Sequence, residues 1–288
     1  MTYEEQLAFF PAEGSNLAGI LTVPSTPNGI VVLLPWGAGA YPSSARNRIR
    51  TRLARAIAER GFYSLRFDYE GVGESEGEYR VATMGNPYTG DVLAATKWLR
   101  NQGLDRLMIV ANCFGAWSSL SAAPLITGLE GMVLVNCPVR RDHREANAAH
   151  RPWRWWLRHV RRLRISKLRS AQSRARYRRL VSSKAGEIVR IRQKDVRFTR
   201  AINQLIADRV PLLLMYGSDG FRPDFEAELD RELGAVLQAA GPPTRTLFVT
   251  ERVEGFATLA SQNLLIETVT SWLDEVVNRT PHPTEQAS

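Results

Sequence analysis

Short apolar runs alternate with longer amphipathic segments along most of the chain. The first clear example is "GIVVLLPW", a run of β-branched and aliphatic residues that ends in Pro and Trp and predicts a buried strand. In the segment that follows, "ARNRIRTRLARAIAERG", Ile49, Leu53, Ala56 and Ile57 share one face of a helix, and Gly61 ends it. The pattern predicts a strand followed by a helix.

The pairing of a strand with a helix recurs through the chain. The further strands are predicted at "FYSLRFD", "RLMIVAN", "GMVLVNC", "VPLLLMYGS" and "TRTLFVT". Each of them except "GMVLVNC" is followed directly by a helical pattern. Continuously apolar strands that alternate with amphipathic helices are typical of a parallel sheet covered on both faces. We therefore predict an α/β fold with a mostly parallel central sheet and helices on both sides.

The charges are distributed unevenly. The chain has 288 residues and a formal net charge of +9. Between Arg140 and Arg200 there are 21 Lys or Arg and 4 Asp or Glu, which leaves 17 basic and 25 acidic residues elsewhere. We therefore expect an acidic body with one basic insert: a first core segment at 1–138, a basic helical cap at 139–206, a second core segment at 207–279, and a flexible tail at 280–288.

Composition also excludes several classes of protein. Two cysteines do not make a disulfide scaffold. The start, "MTYEEQLAFF", lacks the basic and apolar regions of a signal peptide, and no apolar run reaches the roughly 18 residues of a membrane span. The glycines of "GVGESEG" are not followed by the Lys-Ser/Thr of a phosphate loop. We expect a cytoplasmic protein with no cofactor and no metal.

One turn at the end of a predicted strand carries candidate chemistry. In a parallel sheet, ligands bind beyond the carboxyl ends of the strands. There, Ala111-Asn112-Cys113-Phe114-Gly115 has the form of a nucleophile elbow, G-x-S-x-G, with cysteine in place of serine and alanine in place of the first glycine. Small residues suit this turn because it is sharp and the helix after it passes close to its neighbours. The pattern makes Cys113 a candidate nucleophile.

Neighbouring motifs resemble the α/β-hydrolase superfamily, nearest to its serine-aminopeptidase-like and acyl-hydrolase branches. The stretch "ERGFYSLRFDYEGVGESEGE" is similar to the family's strand and turn of the form GF-x-x-LRFD-x-x-G-x-G-x-S-x-G. "GDVLAATKWLR" is similar to the helix that follows, and "LLPWGAGA" stands where the family has its oxyanion loop. The resemblance covers 5–138 and, more loosely, 207–276. It implies an α/β-hydrolase fold with a variable cap at the place of the basic insert.

The resemblance also implies roles for particular residues. Cys113 takes the nucleophile position, and the backbone N–H of Phe114 supplies one donor of the oxyanion hole. A second donor comes from the backbone around Trp36 to Ala38. Asp219, after the next-to-last core strand, takes the position of the triad acid; its alternative role is to cap the helix that begins near residue 223. Asp68 and Ser75 are expected to hold a turn.

The histidine of the triad is not found. In the turn "TERVEGFATL", where the resemblance implies the base, Phe256 or a neighbour stands in its place. His143 follows a predicted strand by a few residues and is a candidate for a relocated base; the alternative is a solvated histidine of the cap. A thiol is less dependent on a base than a serine is, because it is partly ionised near neutral pH. Cysteine therefore fits a site without the histidine, whereas Cys137 has no motif around it and is expected to be simply buried.

The insert contains a predicted basic amphipathic helix. In "RPWRWWLRHVRRLRISKLR", Trp153, Trp156, Leu157, Val160 and Leu163 fall at helical spacing, with most of the arginines opposite. We expect a cap over an acyl pocket, and the alternative is a helix lying on an anionic membrane surface. Nucleic acid is disfavoured as a partner because the stretch has no recognisable binding module. An acidic acyl-carrier protein would match the surplus arginines.

Two classes of function follow. In the first, the protein is an acyl-transfer enzyme, an acyltransferase or thioesterase in which Cys113 attacks a thioester or ester. The absence of the histidine favours transfer, because water needs a base and a neutral amine does not; simple ester hydrolysis is the alternative within this class. In the second, the protein is a non-catalytic binding member of the same fold. The elbow, the turn glycines and Asp219 favour the enzyme.

Overall fold

The computed structural model describes residues 2–37, 42–80, 83–139, 196–217, 225–251 and 256–279. The chain divides into two compact units, one formed by Met1–Cys137 and Arg197–Ser288 and the other by Pro138–Val196. Only residues 138, 139 and 196 of the second unit are described, so the predicted cap helix, the predicted tail and the candidate residues Asp219 and His143 lie outside the described residues. All of the strands given below belong to the first unit.

The described residues form one eight-stranded sheet. The strands are β1 Tyr3–Ala12, β2 Ser15–Pro24, β3 Ile30–Leu33, β4 Tyr63–Phe67, β5 Arg106–Asn112, β6 Leu129–Val135, β7 Leu212–Gly217 and β8 Arg245–Val249. Their order in the sheet is β1-β2-β4-β3-β5-β6-β7-β8. The pairs β1–β2 and β2–β4 are antiparallel, and all pairs from β4–β3 to β7–β8 are parallel. The predicted mostly parallel sheet is confirmed.

Helices connect the parallel strands. The α-helices are α1 Ile49–Glu59, α2 Thr89–Asn101, α3 Phe114–Ala122, α4 Val196–Ala207, α5 Phe225–Leu229, α6 Ala235–Ala240 and α7 Leu259–Arg279. Short 3₁₀ turns at Arg46–Arg48 and Ala123–Leu125 and a π-helical turn at Asp230–Gly234 join some of them. Among the described residues no helix is both long and apolar enough to cross a membrane.

Helices cover both faces of the sheet. On one face, alternate residues of β3 (Ile30 and Val32) and of β5 (Met108 and Val110) share a core with side chains of α1 and α7. Residues between them, such as Val31, are also completely buried but belong to the other face, where α2 and α3 contact β3 and β5. Strands buried on both sides explain the continuous apolar runs in the sequence.

The antiparallel hairpin at the edge of the sheet was not among the predicted elements. β1 and β2 pair along their whole length and are joined by the two-residue turn Glu13–Gly14, in which both residues have a positive φ, 25° and 96°. A turn of this kind matches the twist of the strands that it joins. In β1 the exposed residues Leu7 and Phe9 are apolar like the buried Ala8 and Phe10 beside them, so apolar and polar residues do not alternate and the strand pattern is weak.

Candidate active site

Cys113 occupies a strained turn between β5 and α3. Its backbone angles are φ 55° and ψ −125°, a combination that non-glycine residues rarely adopt and that costs on the order of 1–3 kcal/mol. The Cys113 N–H donates to Val135 O at 2.8 Å, and the Trp117 N–H donates back to Cys113 O at 3.3 Å. The residue is partly exposed. The turn therefore holds the cysteine between the carboxyl edge of the sheet and the N-terminus of α3, as the elbow pattern predicts.

The glycine two residues later allows α3 to pass very close to the end of β3. A Cβ at Gly115 would lie 2.5 Å from Pro35 O and 2.7 Å from Trp36 N, both of which are backbone atoms that cannot easily move. The Asn112 N–H donates to Pro35 O at 3.2 Å, and the Gly37 N–H donates to Asn112 O at 3.0 Å. The elbow and the segment after β3 are therefore locked together, which is the physical reason for a small residue at position 115.

The two predicted sides of the oxyanion hole are brought together. Phe114 is the first residue of α3, directly after the cysteine, and Trp36 forms an isolated parallel bridge with Asn112, directly before it. The N–H of Gly37 is used in the bond to Asn112 O. Of the predicted loop donors, Ala38 lies outside the described residues. The N-terminus of α3 favours negative charge at this point.

The ends of β6 and β7 are joined by a side chain that the sequence interpretation missed. Asn136, with a φ of 47°, donates its N–H to Met215 O at 2.8 Å, and its Oδ1 accepts the N–H of Gly217 at 3.1 Å. Asparagine tolerates positive φ better than most residues, so its position after an apolar run was a usable signal. Gly217 is the last described residue before the segment that contains Asp219.

Phe256 belongs to the core. Only 1% of it is exposed, its ring centroid lies 5.8 Å from that of Trp36, and it packs with side chains of α1 and α7. Its carbonyl accepts hydrogen bonds from Asn47 Nδ2 at 3.1 Å and from Gln262 Nε2 at 2.9 Å. Phe256 therefore has a packing role where the resemblance implies a base, and residues 252–255 lie outside the described ones.

Cys137 is completely buried, as expected for a cysteine without a motif. Burial raises the pKa of its thiol well above the usual value, and the nearby Cys113 raises it further because two negative charges would repel. A thiol that stays protonated is a poor nucleophile. The two cysteines therefore lie near each other but differ in character, and Cys113 is the better candidate.

A buried cation lies beneath the strand ends that lead into the site. Arg50 is only 1% exposed, and its guanidinium donates to Leu34 O at 2.9 Å and to Phe67 O at 2.7 Å. Burial lowers its pKa to about 10, so it remains charged at neutral pH. It ties the end of β3 to the end of β4. The amphipathic pattern of α1 gave no signal for it, because arginine normally marks the solvent face.

The turn after β4 is held as predicted. Ser75 Oγ donates to Asp68 O at 2.7 Å and accepts the N–H of Ala18 at 2.8 Å. Asp68 Oδ2 accepts the N–H of Glu74 at 3.1 Å. Gly73 packs directly against this carboxylate. The glycine-rich turn is therefore structural. In the described part of the chain, no group of three or more His, Cys, Asp or Glu side chains is arranged to hold a metal ion.

Comparison with known proteins supports the motif evidence. The profile of the family described as "Serine aminopeptidase, S33" matches residues 43–220, which is more than half of the chain. This range contains the glycine-rich turn, the elbow of Cys113 and the whole basic insert. No curated protein matches the sequence significantly.

Solved structures with the same fold include several hydrolases. An esterase from Pyrococcus furiosus superposes with a TM-score of 0.65 at 15% identity, over 94% of this chain and 91% of that one. The esterase domain of a Rhodothermus marinus protein has a TM-score of 0.57 at 17% identity, over 93% and 97%. A dienelactone hydrolase from Anabaena variabilis has a TM-score of 0.56 at 13% identity, over 95% and 98%. At these identities the likeness establishes the α/β-hydrolase fold.

Proposed function

Because the chain belongs to the serine aminopeptidase (S33) family of hydrolases, we propose that it acts on acyl groups and that Cys113 is the nucleophile. The observation that carries this proposal is the backbone of Cys113, which has the strained geometry of a nucleophile elbow at the N-terminus of α3. Strain of this kind persists only where the surrounding structure enforces it. Here the hydrogen bonds of Asn112 and the close contact at Gly115 enforce it.

The chemistry follows from the position of the thiol. The Cys113 thiolate attacks the carbonyl carbon of a thioester or ester, and the oxygen becomes an oxyanion that the Phe114 N–H and a donor of the segment from Trp36 to Ala38 stabilise. The bond to the leaving group then breaks, the leaving thiolate or alkoxide takes up a proton, and the acyl group remains on Cys113 as a thioester. An amine, an alcohol or water next attacks this thioester and releases the cysteine.

Transfer to an amine or alcohol is favoured over hydrolysis in this proposal. The four histidines lie at positions 143, 150, 159 and 282, and none is in the turn between β8 and α7. Attack by water depends most on a general base, which typically contributes 10²–10⁴-fold. An amine that is neutral when it binds needs less help. His143 and Asp219 remain candidates for a base and its orienting acid.

Ester hydrolysis is the second candidate, and the membership in a hydrolase family favours it. The two candidates differ in the fate of the acyl-enzyme. If hydrolysis is the natural reaction, the acyl group leaves Cys113 in water alone. If transfer is the natural reaction, the acyl-enzyme persists until an amine or alcohol is added.

The test is the mass of the intact protein after incubation with a small acyl thioester. We expect an increase equal to one acyl group in the parent and in Cys137→Ala, which is the matched control because that thiol is buried. We expect no increase in Cys113→Ala. Adding an amine should then remove the acyl group faster than buffer does. Equal acylation of all three proteins would show that Cys113 is not the nucleophile. No acylation of any of them, together with no consumption of the thioester, would favour a non-catalytic binding protein.

The proposed substrate is an acyl thioester or ester, and an acidic acyl-carrier protein is the proposed donor. The support for the carrier is the charge distribution, with 21 of the 38 Lys and Arg residues between Arg140 and Arg200. A basic surface attracts an acidic partner over distances of about a Debye length. The same surplus of arginine also supports the alternative of an anionic membrane surface.

A further inference from the structure

Strand β1 forms one end of the sheet and is long and regular. It pairs with β2 without interruption from Tyr3, opposite Pro24, to Ala12, opposite Ser15. Among the described residues, no strand pairs with its outer side. Proteins usually protect such an edge with a bulge, a proline or a lysine, because unpaired backbone groups recruit further strands. The only proline of β1 is Pro11, near its end, and the strand contains no lysine.

Two of the exposed side chains of β1 are large and apolar, and they lie beside the exposed polar residues Glu4 and Gln6. Leu7 is 76% exposed and Phe9 is 62% exposed, whereas Ala8 and Phe10 on the opposite face are 1% exposed. Leu7 and Phe9 share their face with Glu5, whose carboxylate binds two arginines of the same unit. Burial of exposed Leu and Phe side chains is favourable, at about 25 cal/mol per Å² of apolar area. The edge therefore offers two large apolar side chains together with backbone groups that pair with no strand of the described residues.

The hydrogen bonds of β2 show which backbone groups of β1 point outward. Ala18 O accepts the Asp68 N–H at 2.8 Å, and Asn16 O accepts the Glu76 N–H at 2.9 Å, so the even-numbered residues of β2 direct their backbone groups away from β1. The odd-numbered residues of β2 bond to β1, and the register pairs them with the even-numbered residues of β1. Leu7 and the other odd-numbered residues of β1 therefore direct their N–H and C=O groups outward.

We propose that β1 pairs with β1 of a second copy of this chain. An antiparallel pair about a two-fold axis perpendicular to the sheet keeps each residue on its own face. With the axis at Leu7, the outward backbone groups of Glu5, Leu7 and Phe9 meet those of the partner's Phe9, the partner's Leu7 and the partner's Glu5. All three pairs then bond directly. The two sheets join into one sheet of sixteen strands.

Side chains fit the same register. Leu7 packs against the partner's Leu7, and Phe9 lies opposite the partner's Glu5. On the other face, Gln6 lies opposite the partner's Ala8. No like charges are directly opposed, and such pairs would destabilise a sheet. A pairing with a different axis, for example at Phe9, would place fewer outward N–H groups in contact, because Pro11 has none.

The proposed contact between the two β1 strands buries little surface, and its small area limits the affinity of the dimer. One edge strand covers less than the roughly 800 Å² per partner of a standard interface. We therefore expect a weak, reversible dimer with a dissociation constant on the order of 10 µM. The two-fold symmetry pairs the β1 edge of each copy with the β1 edge of the other, so no β1 edge is left for a third copy. The proposed dimer does not depend on the acyl-transfer chemistry.

Sedimentation velocity over protein concentrations from about 1 to 100 µM tests the dimer. We expect the sedimentation coefficient of the parent to rise from that of a monomer to that of a dimer. Leu7→Lys places two positive charges at the axis and should remain monomeric throughout. Gln6→Lys is the matched control on the opposite face and should dimerise like the parent. Both substituted positions are exposed, so the fold is retained.

The register has its own test, made in a Cys113→Ser background that removes the partly exposed native thiol. With oxidised glutathione as the oxidant, Leu7→Cys should form a disulfide to the same residue of the second copy, with release of two molecules of glutathione, whereas Gln6→Cys should not. A parent that stays monomeric at 100 µM, a Leu7→Lys variant that still dimerises, or equal cross-linking at both positions would each overturn the proposal.

Discussion

Asp91 offers a quantitative test of the packing around the turn after β4. It lies in the first turn of α2, is 6% exposed, and accepts the Glu70 N–H at 2.8 Å through Oδ2. Burial raises its pKa from 3.8 to about 6, although the bond from Glu70 and the positive charge of Arg80 act in the opposite direction. The folded protein therefore holds this proton more tightly than the unfolded chain does.

The sign of the effect on stability follows from this difference. The contribution of Asp91 to stability is complete below its unfolded pKa of 3.8 and is lost as the pH rises through 6. One pKa unit corresponds to about 1.4 kcal/mol, so the total loss is about 3 kcal/mol. In Asp91→Asn the amide oxygen still accepts the Glu70 N–H, and no charge is buried at any pH. The variant should be more stable than the parent by about 1 kcal/mol at pH 4.5 and by about 3 kcal/mol at pH 7.5.

Urea denaturation of both proteins at the two pH values measures this difference. The comparison between parent and variant cancels the titration of groups that do not interact with Asp91. Asp105→Asn, at an exposed position, is the matched control and should give the same change in stability at both pH values. If the advantage of Asp91→Asn does not grow with pH, or if the variant is less stable at pH 7.5, burial is not what controls this carboxyl group.

The close contact at the elbow and the charge of the insert give two further predictions. Gly115→Ala forces a methyl group against the backbone of 35–36, and overpacking of this kind typically costs about 1–3 kcal/mol. Thermal unfolding should therefore occur at a lower temperature, and acylation of Cys113 should slow. The control Ala116→Gly should leave the spacing between α3 and this backbone unchanged. Raising the salt from about 0.1 to 1 M shortens the Debye length from about 10 to 3 Å, so acyl transfer from an acidic carrier protein should slow much more than transfer from a small thioester. Ser in place of Arg161, Arg162 and Arg164 should reproduce that selective loss; equal salt sensitivity of both donors would contradict the carrier proposal.

Part of the site was predictable because its signals are local. The sequence from Ala111 to Gly115 specifies the elbow, since a buried strand, a short turn and a helix follow one another within a few residues. The same holds for the turn of Asp68 and Ser75, in which Ser75 Oγ donates to Asp68 O and Asp68 Oδ2 accepts the N–H of Glu74, all within seven residues. The nucleophilic role of Cys113 and the oxyanion role of Trp36 and Phe114 remain predictions.

Other features were not predictable because their partners are distant in sequence. From the sequence, Arg50 is expected to face solvent on α1. In the structure, its guanidinium donates hydrogen bonds to the carbonyls of Leu34 and Phe67. From the sequence, Phe256 only marks the place where the base is expected. The structure shows that its ring packs against Trp36. The periodic pattern of apolar residues along the chain gives no signal for either of these contacts.

The amino-acid sequence is enough to predict the alternation of apolar strands and amphipathic helices, and with it a parallel sheet whose carboxyl edge carries Cys113. The physical reason is that each strand or helix is encoded in neighbouring residues, and the burial of its apolar face is common to all such folds. The tertiary structure was needed to show which backbone atoms press against Gly115, which carbonyls accept hydrogen bonds from Arg50, and which side of β1 faces away from β2. Those features depend on the register and close packing of segments far apart in the chain, which the pattern of neighbouring residues does not specify.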